Sequence, residues 1–153
     1  MSPEIFDSKI KDVEFGSNVK IIEPVNIYEC KICDDVFIGP FVEIQKSVFI
    51  GNRTKIQSHT FICELVSVGK ECFIGHGVMF INDLFDSGGP AMGNKNKWKK
   101  TEIGNKVSIG SNSTILPVKI CDGTVVGAGA VVTKDILVRG VYVGNPAKLL
   151  RKL

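Results

Sequence analysis

An apolar residue recurs at every sixth position through the middle of the chain. The column runs without a break through Ile32, Ile38, Ile44, Ile50, Ile56, Ile62, Val68, Ile74 and Phe80. With 44% of the chain hydrophobic, nine such positions in a row would arise by chance about six times in ten thousand. A stride of six fits neither the period of an α-helix nor that of a single strand. It predicts a short strand followed by a turn, repeated many times.

Two further columns share the stride of six. Small or β-branched residues follow four positions after the first column: Val36, Val42, Val48, Thr54, Thr60, Val66, Cys72 and Val78. Glycine follows one position after it at Gly39, Gly51, Gly69 and Gly75. β-branched residues suit a buried, pleated surface, and Gly, Asn and Asp suit turns. Three hexads make one triangular coil, so each residue stacks on the residue 18 positions later, as in a parallel β-helix.

The repeat continues towards both ends of the chain. It includes Phe15, Ile21 and Ile27 upstream, and Ile103, Ile109, Ile115, Ile120, Val126 and Val132 downstream. We therefore predict an all-β fold, a single domain over residues 1–153 with about six coils. The pattern stops between about 82 and 101, which predicts a long inserted loop of the kind that often carries function. The segment AKLLRKL after Asn145-Pro146 predicts a short C-terminal helix over about 146–153, covering the end of the solenoid.

Composition excludes several functional classes. The net charge is only +3, from 19 basic and 16 acidic residues, so charge alone indicates no nucleic-acid partner. No stretch approaches 18 apolar residues and the first ten residues do not resemble a secretory signal, so we expect no membrane span and a cytoplasmic location. The five cysteines, including the Cys30/Cys33 pair, are interpreted as ordinary reduced thiols and not as a metal site.

Several segments resemble a known family. Hexads of the form [Ile/Val]-Gly-x-x-[Val/Thr]-x, with VVGAGAVVTKD (125–135) and GNPAKLLRKL (144–153), resemble left-handed β-helix acyltransferases. The left-handedness comes from this resemblance. The segments DDVFIGPFVEI (34–44), IQSHTFICE (56–64) and FIGHGVMFINDLF (73–85) resemble nucleotide-sugar N-acetyltransferases that act on UDP- or dTDP-linked 3-amino-deoxy sugars.

The resemblance implies a function and an assembly. The expected reaction transfers an acetyl group from acetyl-CoA to the sugar amine, in the synthesis of surface polysaccharides such as lipopolysaccharide. Family members are homotrimers with active sites between subunits. A narrow prism with a flat apolar side also favours coverage by partner subunits.

Four polar residues are candidates for the chemistry. His76 lies in the turn IGHGV and is the candidate general base, because an unperturbed imidazole titrates near neutrality. His59 lies 17 residues earlier, which is nearly one coil, so we expect it at the same corner on the adjacent coil. There it could position His76, bind the substrate or have a structural role only. Asn82 and Asp83 open the inserted loop and are expected to grip the sugar, or alternatively to cap the loop. His76 and Asn82 occupy equivalent positions in successive hexads, so within one subunit they lie on different corners of the coil. Either the two residues serve one site from neighbouring subunits, or one of them does not serve it.

Glycine-rich turns and cations are candidates for the cofactor. The turns at Gly110-Ser111 and Gly127-Ala128 have little bulk, so a pantetheine arm can lie against their backbone. The candidate cations for the CoA phosphates are Lys134, Lys148 and Arg151. In the loop, Trp98 is a candidate substrate contact. The lysines around it either bind phosphates or form a solvated charge run: Lys95, Lys97, Lys99 and Lys100.

Two alternatives to N-acetylation remain. One is O-acetylation of a sugar or small alcohol, where a histidine base matters more. The other is a non-catalytic solenoid scaffold. A zinc enzyme with three histidine ligands is disfavoured because the chain has only two histidines.

Overall fold

The chain folds into a parallel β-helix built almost entirely from two- and three-residue strands. The structure, a computed structural model, describes residues 3–6 and 9–153. Its strands, numbered in chain order, form three sheets, one for each side of a triangular prism. Sheet A contains β1 (Ile10–Lys11), β4 (Asn26–Tyr28), β7 (Glu43–Ile44), β10 (Phe61–Ile62), β13 (Met79–Phe80), β16 (Thr114–Ile115) and β19 (Val131–Val132).

The other two sides are formed in the same way. Sheet B contains β2 (Glu14–Phe15), β5 (Lys31–Ile32), β8 (Phe49–Ile50), β11 (Val66–Val68), β14 (Thr101–Ile103) and β17 (Lys119–Ile120). Sheet C contains β3 (Lys20–Ile21), β6 (Phe37–Ile38), β9 (Lys55–Ile56), β12 (Phe73–Ile74), β15 (Ser108–Ile109), β18 (Val125–Val126), β20 (Gly140–Val143) and β21 (Lys148–Lys152). Neighbours within a sheet are parallel, except for β20 and β21.

The six-residue column forms the core, as predicted. Ile32 pairs with Ile50 and Ile50 with Val68 in sheet B, while Ile38, Ile56 and Ile74 align in sheet C. In sheet A, Ile44 aligns with Ile62, and the next strand contributes Phe80. All of these side chains are fully buried. The first residue of most two-residue strands faces outward, so each sheet also presents an exterior column.

Turns of up to four residues form the three edges of the prism. The C–A edge, where sheet C passes into sheet A, consists of turns 22–25, 39–42, 57–60, 75–78, 110–113 and 127–130. Residues 144–147 follow beyond the last of these turns and join β20 to β21 within sheet C. The A–B edge includes the long loop, and the B–C edge includes turns 16–19, 33–36 and 104–107. The third residue of many turns has a positive φ, as at Asn112 with 57° and His59 with 63°. This conformation reverses the chain within a very short segment.

Two details of the prediction are wrong. The C-terminal segment is not a helix: Lys148–Lys152 forms β21 and pairs antiparallel with β20 at the end of sheet C. An isolated helix of that length is unstable in water, whereas the last strand of a sheet offers unpaired backbone groups. The solenoid also has seven coils and not six, because Ile10–Lys11 begins a further coil.

The predicted insertion is confirmed as the segment between β13 and β14, residues 81–100. It contains one short 3₁₀ helix, Lys95–Lys97. In the described part of the chain, no helix has the length and apolarity needed to cross a bilayer.

Candidate functional site

His76 lies on the C–A edge and is held by a serine of the preceding coil. The Oγ atom of Ser58 is 2.9 Å from Nδ1 of His76. His76 is exposed, so its Nε2 atom is left to face solvent or a bound molecule. The hydrogen bond with Ser58 holds the orientation of the ring, and because a hydroxyl can donate or accept, it is compatible with either tautomer.

His59 stands one coil away on the same edge, as the spacing predicts. Its ring packs on the ring of Phe41, with the centroids 4.8 Å apart. Phe41 is 58% exposed although it is a large apolar residue. His59 therefore makes a stacking contact with Phe41, while its neighbour Ser58 makes the contact with His76.

The low-bulk turns stack beyond His76 along the same edge. The N–H of Asn112 donates to the carbonyl of His76 at 2.8 Å, and the N–H of Gly129 donates to the carbonyl of Ser111 at 2.8 Å. A Cβ atom on Gly75 would lie 2.7 Å from the backbone nitrogen of Ser111, so the close spacing of the turns requires glycine there. Gly110, Ser111, Gly127 and Ala128 are thus brought together, with His76 one coil before them.

The C–A edge also leaves backbone donors unused. The N–H groups of His76, Ser111 and Ala128, each second in its turn, have no acceptor among the described residues. On the B–C edge, by contrast, three N–H groups at that position are capped by side chains of the next coil: Ser17 by Asp34 at 2.7 Å, Lys70 by Asn105 at 3.0 Å and Asn105 by Asp122 at 2.7 Å. The C–A edge therefore offers a row of donors to the carbonyl groups of a ligand.

The three candidate phosphate-binding cations are not all near this edge. Lys148 begins β21, directly after the turn that joins β20 to β21, and Arg151 lies farther along the same strand, paired with Val141. Lys134 follows β19 and lies on the A–B edge. The structure therefore places Lys148 next to the glycine-rich turns, Arg151 farther along sheet C, and Lys134 on a different edge.

Asn82 and Asp83 lie on the A–B edge, away from His76, as their hexad positions predict. Asn82 donates from Nδ2 to the carbonyl of Glu64 at 3.2 Å. The Asp83 carboxylate accepts the N–H groups of Phe85 at 3.0 Å and Ala91 at 2.7 Å. Both side chains thus organise the start of the loop in this chain, and the Asp83 contacts are those of a loop cap.

The loop lysines are largely engaged within the loop. Lys95 places its ammonium 2.9 Å from both carboxylate oxygens of Glu64 and 5.4 Å from the centre of the Trp98 ring. Lys97 donates to Ser87 at 2.8 Å, and Lys99 lies 3.8 Å from Asp86. Among the four loop lysines, only Lys100 forms no ion pair or side-chain hydrogen bond with the described residues. These contacts fix Trp98 beside the A–B edge.

Three of the cysteines, Cys30, Cys63 and Cys72, are buried in the core. Burial raises the pKa of Cys30 to about 11 and that of Cys63 to about 12, so both remain protonated near neutrality. All five cysteines are free. Across residues 3–6 and 9–153, no three or more His, Cys, Asp or Glu side chains converge as metal ligands.

The prediction from sequence missed Ser58 and Phe41. Both could have been found with the stacking rule, because Ser58 precedes His76 by 18 residues and Phe41 precedes His59 by 18 residues. Applying the rule to exposed turn positions, and not only to the buried column, identifies both partners.

Comparisons with known proteins agree with the fold. A family profile described as "Hexapeptide repeat of succinyl-transferase" matches residues 100–134. "Bifunctional protein GlmU" of Streptococcus uberis is 32% identical over 152 residues, covering 94% of this chain and 32% of that protein. The chain spans only about a fifth to a third of the length of the curated relatives it matches.

Two solved structures share the architecture. A hexapeptide transferase family protein from Anaplasma phagocytophilum has a TM-score of 0.74 at 20% identity, covering 94% of this chain and 82% of that one. A variant of perosamine N-acetyltransferase from Caulobacter crescentus, in complex with CoA and GDP-perosamine, has a TM-score of 0.63 at 19% identity, covering 93% and 57%. Together with the repeat itself, these findings show that the chain has the left-handed parallel β-helix fold built from hexapeptide repeats.

Proposed function

We propose that the protein transfers an acetyl group from acetyl-CoA to the amine of a nucleotide-linked 3-amino-deoxy sugar, in the cytoplasmic synthesis of a surface polysaccharide. The observation that carries this proposal is the C–A edge, where the Ser58–His76 pair adjoins turns with unused N–H donors. The Caulobacter crescentus structure supports it, because that protein has a related fold and holds CoA and GDP-perosamine.

The reaction needs few groups. The neutral amine attacks the thioester carbonyl carbon from about 3–3.5 Å, and the carbonyl oxygen becomes an oxyanion. An unused backbone N–H of the C–A edge stabilises that oxyanion. Collapse of the intermediate breaks the carbon–sulfur bond and releases the CoA thiolate.

His76 acts first as the general base and then as the general acid in this mechanism. The mechanism uses the tautomer in which Nδ1–H donates to Ser58, 2.9 Å away. The Nε2 atom then carries a lone pair and accepts the proton that the attacking amine loses. The resulting imidazolium can then protonate the departing thiolate. The products are the acetamido sugar and free CoA, and His76 returns to its starting state.

Acetyl-CoA is expected to lie along the C–A edge. Its pantetheine amides would bond to the backbone at Ser111 and Ala128, where there is little side-chain bulk. Its phosphates would then reach Lys148 and Arg151 at the C-terminal end. This orientation directs the thioester towards His76, which lies nearer the N-terminus.

The position of Asn82 favours an assembly of subunits. His76 and Asn82 lie on different edges of one prism, so a single site that uses both must combine two copies of the chain. A homotrimer with sites between subunits satisfies this requirement. In that arrangement Asn82 and Trp98 of one subunit contact the sugar nucleotide held near His76 of the next.

The test is release of the CoA thiol with a panel of UDP-, dTDP- and GDP-linked amino sugars. We expect turnover with a 3-amino sugar, and loss of turnover by about 10² to 10⁴-fold in His76→Ala. No binding of acetyl-CoA by calorimetry would contradict this function and would favour the scaffold alternative.

O-acetylation is the second candidate. The Ser58–His76 pair favours it in one respect, because a neutral hydroxyl is a weaker nucleophile than a neutral amine and needs a base to take its proton as it attacks. The same assay separates the two reactions when matched amino and hydroxyl sugars are compared.

A further inference from the structure

A groove on the exterior of sheet C has no role in the site described above. It has a volume of about 840 Å³ and lies on the N-terminal coils. Lys20, Phe37 and Lys55 line its floor, Asn18 and Asp35 lie at its B–C end, and Gln57 lies at its C–A end. It therefore runs across sheet C and ends at the edge that carries His76.

The floor of the groove is a regular ladder of cationic and aromatic residues. Lys20 is paired in register with Phe37, and Phe37 with Lys55; Lys55 is in turn paired with Phe73. Neighbouring strands are about 4.8 Å apart, so Lys20 and Lys55 flank the Phe37 ring at about that spacing on each side. Their long stems allow both ammonium groups to turn towards one ligand.

These two lysines differ from those on sheet B. There, Lys31 pairs with Glu14 and Lys119 with Glu102 at 3.2 Å, so the charges of neighbouring strands cancel. In the described structure neither Lys20 nor Lys55 forms an ion pair. The carboxylate of the groove, Asp35, is bonded to Asn18 at 3.2 Å and lies at the far end. The floor is thus positively charged and also has an aromatic surface.

We propose that this groove binds the nucleoside diphosphate part of the sugar nucleotide, with the base against the outward edge of the Phe37 ring and the diphosphate held by Lys20 and Lys55. This proposal rests on the proposed function, since it names where that substrate is held. Ammonium groups bind phosphate oxygens through charge-assisted hydrogen bonds, and the edge of an aromatic ring packs favourably against the face of a planar base.

The ends of the groove set the direction of the ligand. Asp35 would repel a phosphate and can accept hydrogen bonds from ribose hydroxyls, so the nucleoside occupies the B–C end. Gln57, at the other end, directly precedes Ser58, which contacts His76. The sugar would therefore extend out of the groove at the C–A edge, which places its amine near His76.

The test is calorimetric binding of UDP, dTDP and GDP to the full chain without acetyl-CoA. We expect at least one of them to bind, and the Lys20→Gln/Lys55→Gln double variant to weaken that binding by about tenfold or more. Phe37→Leu should weaken the nucleotide but leave the binding of inorganic pyrophosphate unchanged. The matched control is Lys31→Gln/Lys119→Gln on sheet B, which should bind the nucleotide as the wild type does.

The assignment would be overturned if none of the three nucleotides binds the wild type, or if the Lys20/Lys55 double variant binds them with unchanged affinity. It would also be overturned if the double variant loses affinity for acetyl-CoA and not for the nucleotide. Circular dichroism checks that the variants are folded. Thiol release with unaltered nucleotide affinity in the double variant would refute the groove and keep the proposed reaction. Weakened nucleotide binding with no thiol release on any sugar would support the groove and refute the reaction.

Discussion

Ser58→Ala removes one hydroxyl from the C–A edge and leaves the backbone of that turn unchanged. The hydroxyl lies 2.9 Å from Nδ1 of His76, and both side chains are exposed or nearly so. If Ser58 positions His76, the substitution should leave the base present but free to rotate and to change tautomer. The effect should therefore be smaller than the removal of His76 itself.

The size of the effect follows from one hydrogen bond between neutral groups. Such a bond contributes about 0.5–1.5 kcal/mol net, which corresponds to a fall in kcat of about twofold to tenfold. Loss of the base in His76→Ala should lower kcat by about 10² to 10⁴-fold. The KM for acetyl-CoA should not change in Ser58→Ala, because the predicted CoA contacts lie on later coils.

Steady-state kinetics, which give kcat, and ¹⁵N NMR, which reports the tautomer of His76, test this prediction together. With only two histidines in the chain, the ¹⁵N shifts of His76 should report one tautomer in the wild type and a mixture in Ser58→Ala. Ser17→Ala is the matched control, since Ser17 holds the same turn position on the B–C edge and its hydroxyl has no bond in the described structure. An unchanged kcat and tautomer in Ser58→Ala would refute the positioning role.

Three further predictions concern the turns, the pH dependence and the assembly. Gly51→Ala should lower the free energy of unfolding by about 2 kcal/mol or more in urea titrations, because its Cβ would lie 2.6 Å from the carbonyl carbon of Gly69, whereas Gly89→Ala, with nothing within 4 Å, should not. The hydrogen bond from the backbone N–H of Asn105 lowers the pKa of Asp122, so its stabilising effect is present above the ordinary value of 3.8 and is lost as the pH falls below it. The acid unfolding of Asp122→Asn should show a weaker pH dependence than that of the wild type, and an identical dependence would contradict this. Mixed and refolded His76→Ala and Asn82→Ala subunits should regain activity that neither variant has alone, and failure to do so would contradict a site shared between subunits.

The stacking of the core was predictable because it depends on a repeated local pattern. Each hexad places one apolar side chain inward, so Ile32, Ile50 and Val68 align without any information about distant contacts. The C-terminal segment was not predictable in this way. Whether Lys148–Lys152 forms a helix or a strand depends on the free edge of sheet C, which local propensity does not describe.

The candidate site was predictable in its placement but not in its contacts. The spacing puts His59 and His76 on one edge and Asn82 on another, as the structure shows. The contacts of Asp83 with Phe85 and Ala91 depend on the path of a loop without periodicity. Lys134 and Lys148 are likewise separated because Lys134 lies on the A–B edge, whereas Lys148 begins β21 in sheet C. The strand β21 replaces the predicted helix, so this separation could not be predicted from sequence.

The most direct test of the central claim is a comparison of two acceptors that differ in one group. Wild-type protein is incubated with acetyl-CoA and either a 3-amino sugar nucleotide or its 3-hydroxy analogue, and free thiol is measured together with the mass of the product. We predict thiol release and an acetylated product with the amine, none with the hydroxyl, and at least about a hundredfold less with His76→Ala. Equal turnover of both acceptors, turnover of the hydroxyl alone, or full activity in His76→Ala would contradict the proposed reaction at the C–A edge.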